Sequence, residues 1–167
     1  MRNRVITIGI SSVLAAGGAH SQEPAAGAKV RLEVVLSVKN GSYQLEEVLK
    51  SDDSRAFELR RSQLPWGEGR SLYLDTFIPD SGGAKLATTP TGPPTSDRVT
   101  LEAGRSLSGV LILNKRFVAL EKMLAVHPVI IQWAYQFRAA EPAAAGEWQA
   151  GAFVIPSGGL PEGGVLH

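Results

Sequence analysis

The chain of 167 residues contains no cysteine, which excludes disulfides, thiolate zinc sites, iron–sulfur clusters and thiol nucleophiles together. Histidine is nearly as scarce. The three residues, His20, His127 and His167, are too scattered for a metal centre, and His127, directly before Pro128, reads as structural or solvated. Charge of one sign is also lacking, with 17 Lys and Arg against 16 Asp and Glu and no basic cluster, so no nucleic-acid partner is expected. There is no phosphate-binding glycine loop, no HExxH and no EF-hand loop, and hence no cofactor is expected. The string Gly104-Arg105-Ser106-Leu107-Ser108-Gly109 lacks glycines two residues either side of a serine, so it fails the nucleophile-elbow pattern. These absences lead us to expect a protein that is not an enzyme.

No apolar run reaches the about twenty residues of a membrane-spanning helix. The longest begins near the N-terminus, where Arg2 and Arg4 precede residues 5–16 (VITIGISSVLAA) and then Ala19-His20-Ser21. A basic start, a short apolar core and small residues at a cleavage position are the parts of a secretory signal peptide, here 1–21, with the cut before Gln22. The alternative is a short buried strand or helix. With no cysteine at the junction a lipid anchor is excluded, so the expected location is periplasmic or secreted, without a stable membrane anchor. Loss of 1–21 leaves 15 basic groups against 16 acidic ones.

The remaining 146 residues suit one domain with one core. Residues 22–28 (QEPAAGA) read as a flexible leader. From Val30 to Val38 apolar residues alternate with polar ones, the period of a half-buried strand, and Asn40-Gly41 follows as a tight hairpin turn; Asn40-Gly41-Ser42 also matches an N-glycosylation acceptor. Residues 43–49 (YQLEEVL) suit either a returning strand or two helical turns. Further strands are expected at 56–60, 71–78, 98–101, 106–113, 129–138 and 148–155. One short helix, capped by Asn114 and ended by Pro128, carries Phe117, Leu120 and Leu124 at helical spacing. Residues 79–97, rich in Pro, Gly, Ser and Thr, form a long loop that is either a recognition loop or a spacer, and 157–167 reads as a flexible tail. The fold expected is mainly β: a single antiparallel β-sandwich with one short helix, spanning 29–156.

Residues 57–66, VTLEAGRSLSGVLIL at 99–113 and QWAYQF at 132–137 together resemble exported bacterial proteins with an immunoglobulin-like sandwich. More distantly, the "VTL, acidic, Gly, Ser-Leu" turn is similar to proteinase-inhibitor domains of the BsuPI type. The resemblance implies an immunoglobulin-like architecture and assigns no inhibitory residue.

Glu46 with Glu47 and Asp52 with Asp53 read as surface charges rather than a paired acid and base. Trp133, Tyr135, Trp148 and Phe153 read as core. Trp66, after Leu64-Pro65 and before a Gly-rich turn, either plugs the end of the sandwich or protrudes as a binding anchor. Arg60, Arg61 and Arg70 flank it as a protein-binding edge or as charges that keep edge strands soluble, and Leu86 is the obvious apolar anchor of the long loop. The expected function is therefore a non-enzymatic exported module that contacts another envelope or extracellular protein through Trp66, Arg61, Arg70 and Leu86. The alternative is an inhibitor of an envelope or extracellular protease.

Overall fold

A computed structural model describes residues 27–67, 69, 71–90 and 95–167. The signal peptide expected at 1–21 and most of the expected leader lie outside the described residues. Ala28, the last leader residue, belongs to the fold: it is buried and its N–H donates to Ala145 O at 3.0 Å.

Strands β1 (Val30–Lys39) and β2 (Ser42–Ser51) form a ten-rung antiparallel hairpin. Asn40 and Gly41 both take positive φ, 52° and 70°, the conformation that matches the right-handed twist of the two strands. The open choice at 43–49 is thereby resolved as strand, because every residue of β2 has a partner on β1. With β6 (Ser106–Ile112) and β9 (Val165–Leu166) they make a sheet ordered β6-β2-β1-β9. A second sheet is ordered β4-β7-β8, from Leu72–Phe77, Val129–Ala139 and Ala144–Ile155, and β3 (Phe57–Arg60) pairs with β5 (Arg98–Leu101).

These pieces form one mainly antiparallel, sandwich-like β fold. Glu58 N donates to Glu141 O at 2.7 Å and Ala140 N to Glu58 O at 2.8 Å, tying β3 to the end of β7. Gln149 of β8 accepts from Leu32 N at 2.6 Å and donates to Val30 O at 3.0 Å, so its amide stands in for a peptide unit between the sheets. Between the layers Phe57 and Phe137 meet edge to face, 5.3 Å apart, among fully buried Leu36, Leu45, Leu49 and Tyr135.

Five expectations need correction. The single helix is two short ones, α1 (Leu113–Arg116) and α2 (Leu120–Leu124). Asn114 caps neither: its Oδ1 accepts from Tyr43 N at 2.7 Å and its Nδ2 donates to Glu121. Phe117, Leu120 and Leu124 are nonetheless buried as the spacing predicts. The tail at 157–167 is not loose. Gly163 N donates to Val38 O and Val38 N to Gly164 O, both at 3.0 Å, and Glu162 accepts from Asn40 N and Gly41 N across the hairpin turn. Trp148 is 64% exposed, whereas Phe153 is buried; the two differ by an odd number of residues along β8, so the strand sends them to opposite faces. Finally, Leu86 is buried in the core and its N–H donates to Thr76 Oγ1 at 2.7 Å. It fastens the long loop to β4 and presents nothing to a partner.

Candidate functional site

The segment after β3 decides where Trp66 goes. Arg61–Gln63 make one 3₁₀ turn, and Gly67 N then donates to Leu64 O at 2.8 Å, closing a tight turn with Pro65 and Trp66 at its corners. Proline there presets the backbone. Gly67 is required by crowding, since a Cβ would stand 2.5 Å from Arg61 O. The turn lays the indole onto Gly109 of β6, where a Cβ would meet the ring at 2.2 Å. A glycine in the middle of a strand weakens the strand; here it makes the seat for a tryptophan.

Trp66 is half-buried, packed on the core beneath it, and it separates two open depressions. One, about 300 Å³, is walled by Thr89, Pro90, Lys115, Arg116 and the end of β6. The other, about 260 Å³, is walled by Arg61, Thr95 and Asp97, with Arg61 N donating to Asp97 O at 2.7 Å. Of the residues singled out from the sequence, Trp66 and Arg61 therefore come together, and Thr89, Pro90, Thr95 and Asp97 of the later half of the long loop lie around them. Leu86 does not join them, and Arg70 lies outside the described residues.

The residue missed is Glu47. Its neighbour Glu46 points outward, accepting from Ser37 Oγ at 2.6 Å and pairing with Lys39 at 2.8 Å. Glu47 instead points inward and is wholly buried, and neither carboxyl oxygen has a hydrogen-bond partner. On β2 it lies between Val34 of β1 and Gly109 of β6 in register. Neighbouring residues in such a row share a face, so the Trp66 ring over Gly109 is also the ring beside Glu47. Burial pushes the Glu47 carboxyl up to about 8, because an ion there would lack both water and a counter-charge. Tyr135 of β7 stands close by. Its hydroxyl is pushed above the usual tyrosine value, chiefly by burial and further by Glu47, and donates weakly to Gln63 O at 3.4 Å under the Trp66 turn. At neutral pH the cluster is thus an uncharged acid that can donate or accept a hydrogen bond, roofed by an indole. The sequence held a signal for it: with Tyr43, Leu45 and Leu49 inward, period two places Glu47 on the apolar face.

Asp53 is likewise buried rather than a surface charge, but it is paired with Arg55 at 2.9 Å and accepts from Lys29 N at 3.2 Å. His127 is half-buried, and no group of acidic or histidine residues able to hold a metal occurs among the described residues. No helix among them is long and apolar enough to cross a membrane. Comparison with protein-family models and with curated protein sequences finds no match.

Proposed function

We propose that this protein is an exported, non-enzymatic module that binds another envelope or extracellular protein at the end of the fold where Trp66 sits. The observation that carries the reading is the position of Trp66, half-exposed between two depressions, with Arg61 beside it and the later half of the long loop around it. A large ring with a neighbouring guanidinium on a rigid scaffold is the composition of an interface anchor. Loops held at one end of a packed sandwich are where such scaffolds carry recognition. Export rests on the basic and apolar pattern of residues 1–21.

The test is capture of partners by the chain, tagged after His167 and expressed in its own host. We expect a mature N-terminus at Gln22 and one stoichiometric partner from the envelope or medium. Arg61→Glu should lose that partner at an unchanged melting temperature, and Trp66→Ala should lose it while staying folded at a lowered one, because the ring also packs on the core; Leu86 is left intact because the core needs it. A partner held equally by both variants would overturn the reading.

A further inference from the structure

The outer face of the second sheet carries a different set of exposed groups. On β4, β7 and β8 three successive rows point away from the core: Gln136 with Trp148, Tyr73 with Ala134 and Ala150, and Asp75 with Gln132 and Ala152. The alanines make a low floor. Two aromatic side chains stand up from it into water, Tyr73 at 61% and Trp148 at 64% exposure, with Cα atoms roughly 12 Å apart from the strand spacing and the rise per residue. Two exposed rings on one face form a patch, which marks a contact more than scattered apolar residues do.

Beside Trp148 lies an open depression of about 210 Å³, lined by Gln63, Ser71, Gln136, Arg138 and Trp148. Apart from the indole, all its walls are hydrogen-bonding side chains, and their own bonds fix what is left for a ligand. Gln136 Nε2 donates to Gly146 O at 3.2 Å, and Gln136 Oε1 accepts from Arg138 Nε at 3.1 Å and Nη2 at 2.8 Å, so the amide and the guanidinium hold each other in place. Gln63 Oε1 is taken by Arg60 N at 3.0 Å, and Ser71 Oγ donates to Ser62 O at 2.8 Å. Without partners among the described residues are the donors Gln63 Nε2, Arg138 Nη1 and the Trp148 indole N–H, against one acceptor, Ser71 Oγ. Arg138 has no ion pair with an acidic group among these residues, and no carboxylate lines the depression.

A donor-rich hollow with an unpaired guanidinium suits an anion, above all a carboxylate. A bare anion has no use for the indole. The ligand that uses both is a saturated ring with a C–H face to lie on the indole, hydroxyls for the amide and the serine, and a carboxylate for the guanidinium. We infer that this face binds a uronate-containing polysaccharide, with one carboxylated pyranose on Trp148, its carboxylate on Arg138, and the chain continuing over Ala150 and Ala134 to Tyr73. The inference is independent of the reading of Trp66. An acidic protein side chain satisfies Arg138 as well, but it brings no ring to Trp148 and leaves Tyr73 unused.

The experiment is calorimetric titration of the full chain with tetramers of galacturonate, mannuronate and glucuronate, which present the same carboxylate in three configurations. The controls are their methyl esters and an end-blocked Gly-Glu-Gly-Glu-Gly peptide. At least one tetramer should bind with a Kd below roughly 1 mM, about fivefold tighter than its ester and the peptide. Trp148→Ala should weaken tetramer and ester alike, by about tenfold. Arg138→Gln should abolish only the preference for acid over ester, and Tyr73→Ala should weaken the tetramer while sparing the dimer. All three side chains are exposed, so the variants keep the fold. No tetramer bound below that limit, an ester equal to its acid, full binding by Trp148→Ala, or an acid preference that survives Arg138→Gln overturns the inference. A peptide bound as tightly as the best tetramer overturns it in favour of a protein ligand.

Discussion

Two buried carboxyl groups stand six residues apart, and the fold treats them oppositely. Asp53, just beyond the end of β2, is clasped by its own near neighbours: Arg55 Nε and Nη2 donate to it at 3.0 and 2.9 Å, and Lys29 N at 3.2 Å. Its hydrogen bonds with Arg55, above all, hold it well below the usual aspartate value. Glu47, in the middle of the same strand, has no partner, and burial alone drives it upward to about 8. Burial is common to both, so burial does not decide the charge state; the supply of donors does. Asp53 lies where a loop can bring a guanidinium and a free backbone N–H to it. Glu47 lies where both flanking strands have already spent their facing backbone groups on β2 and its cross-strand neighbours are valine and glycine.

The contrast is sharpest in pH dependence. Between the ordinary glutamate value of 4.5 and the native value of about 8, the folded protein keeps a proton on Glu47 that the unfolded chain has released. Stability must therefore fall as pH rises through that window. Compared with Glu47→Gln, which has no such titration, the unaltered protein should match near pH 4 and be weaker by on the order of 4 kcal/mol at pH 9, as read from denaturant midpoints across the range. Parallel profiles for the two proteins would mean that Glu47 is solvated or paired after all.

A smaller effect tests the roof. Gly109→Val places two methyl groups where the indole now lies, so Trp66 must leave its seat. Overpacking of this kind costs about 2–3 kcal/mol. In a Trp133→Phe, Trp148→Phe background the emission of Trp66 should shift to the red, and the native value of Glu47 should drop as water reaches it. An unshifted spectrum would separate Trp66 from Gly109.

The smallest change is expected at Asp53. Asp53→Asn should destabilise the protein modestly at neutral pH. The stability that Asp53 contributes is complete above the ordinary aspartate value and is lost as pH falls toward the depressed native one, the reverse of Glu47. The two variants should therefore converge on the unaltered protein as pH falls. A growing Asp53→Asn deficit in acid would break the comparison.

Much of this molecule is legible in local pattern. The alternation at 30–38, the Asn40-Gly41 turn and the run VIIQWAYQFR each produce the expected strand or hairpin, because a half-buried sheet needs one apolar face and a period of two supplies it. Trp66 and Arg61 were also identifiable from the sequence as neighbours in a turn. Glu47 was not, because an open choice between strand and helix at 43–49 left its face unassigned. Trp148 was misplaced because aromatic character outweighed its phase along β8. The tail was misread for a different reason: glycine and proline mark turns whether or not distant residues fasten them, and the groups that fasten this one are Val38, Asn40 and Gly41.

The sequence by itself determined the class of fold, the position of nearly every strand, the want of thiol chemistry, and the prominence of Trp66. Only the tertiary structure decided that Gly109 receives the Trp66 ring, that Leu86 is a fastening rather than a contact, and that Glu47 is shut away without a donor. The physical reason is range. Strand formation follows from the period of apolar residues along a few consecutive positions, whereas the charge state of a carboxyl and the seat of an indole depend on which strands lie side by side, and that pairing joins residues 47, 66, 109 and 135, which are far apart along the chain.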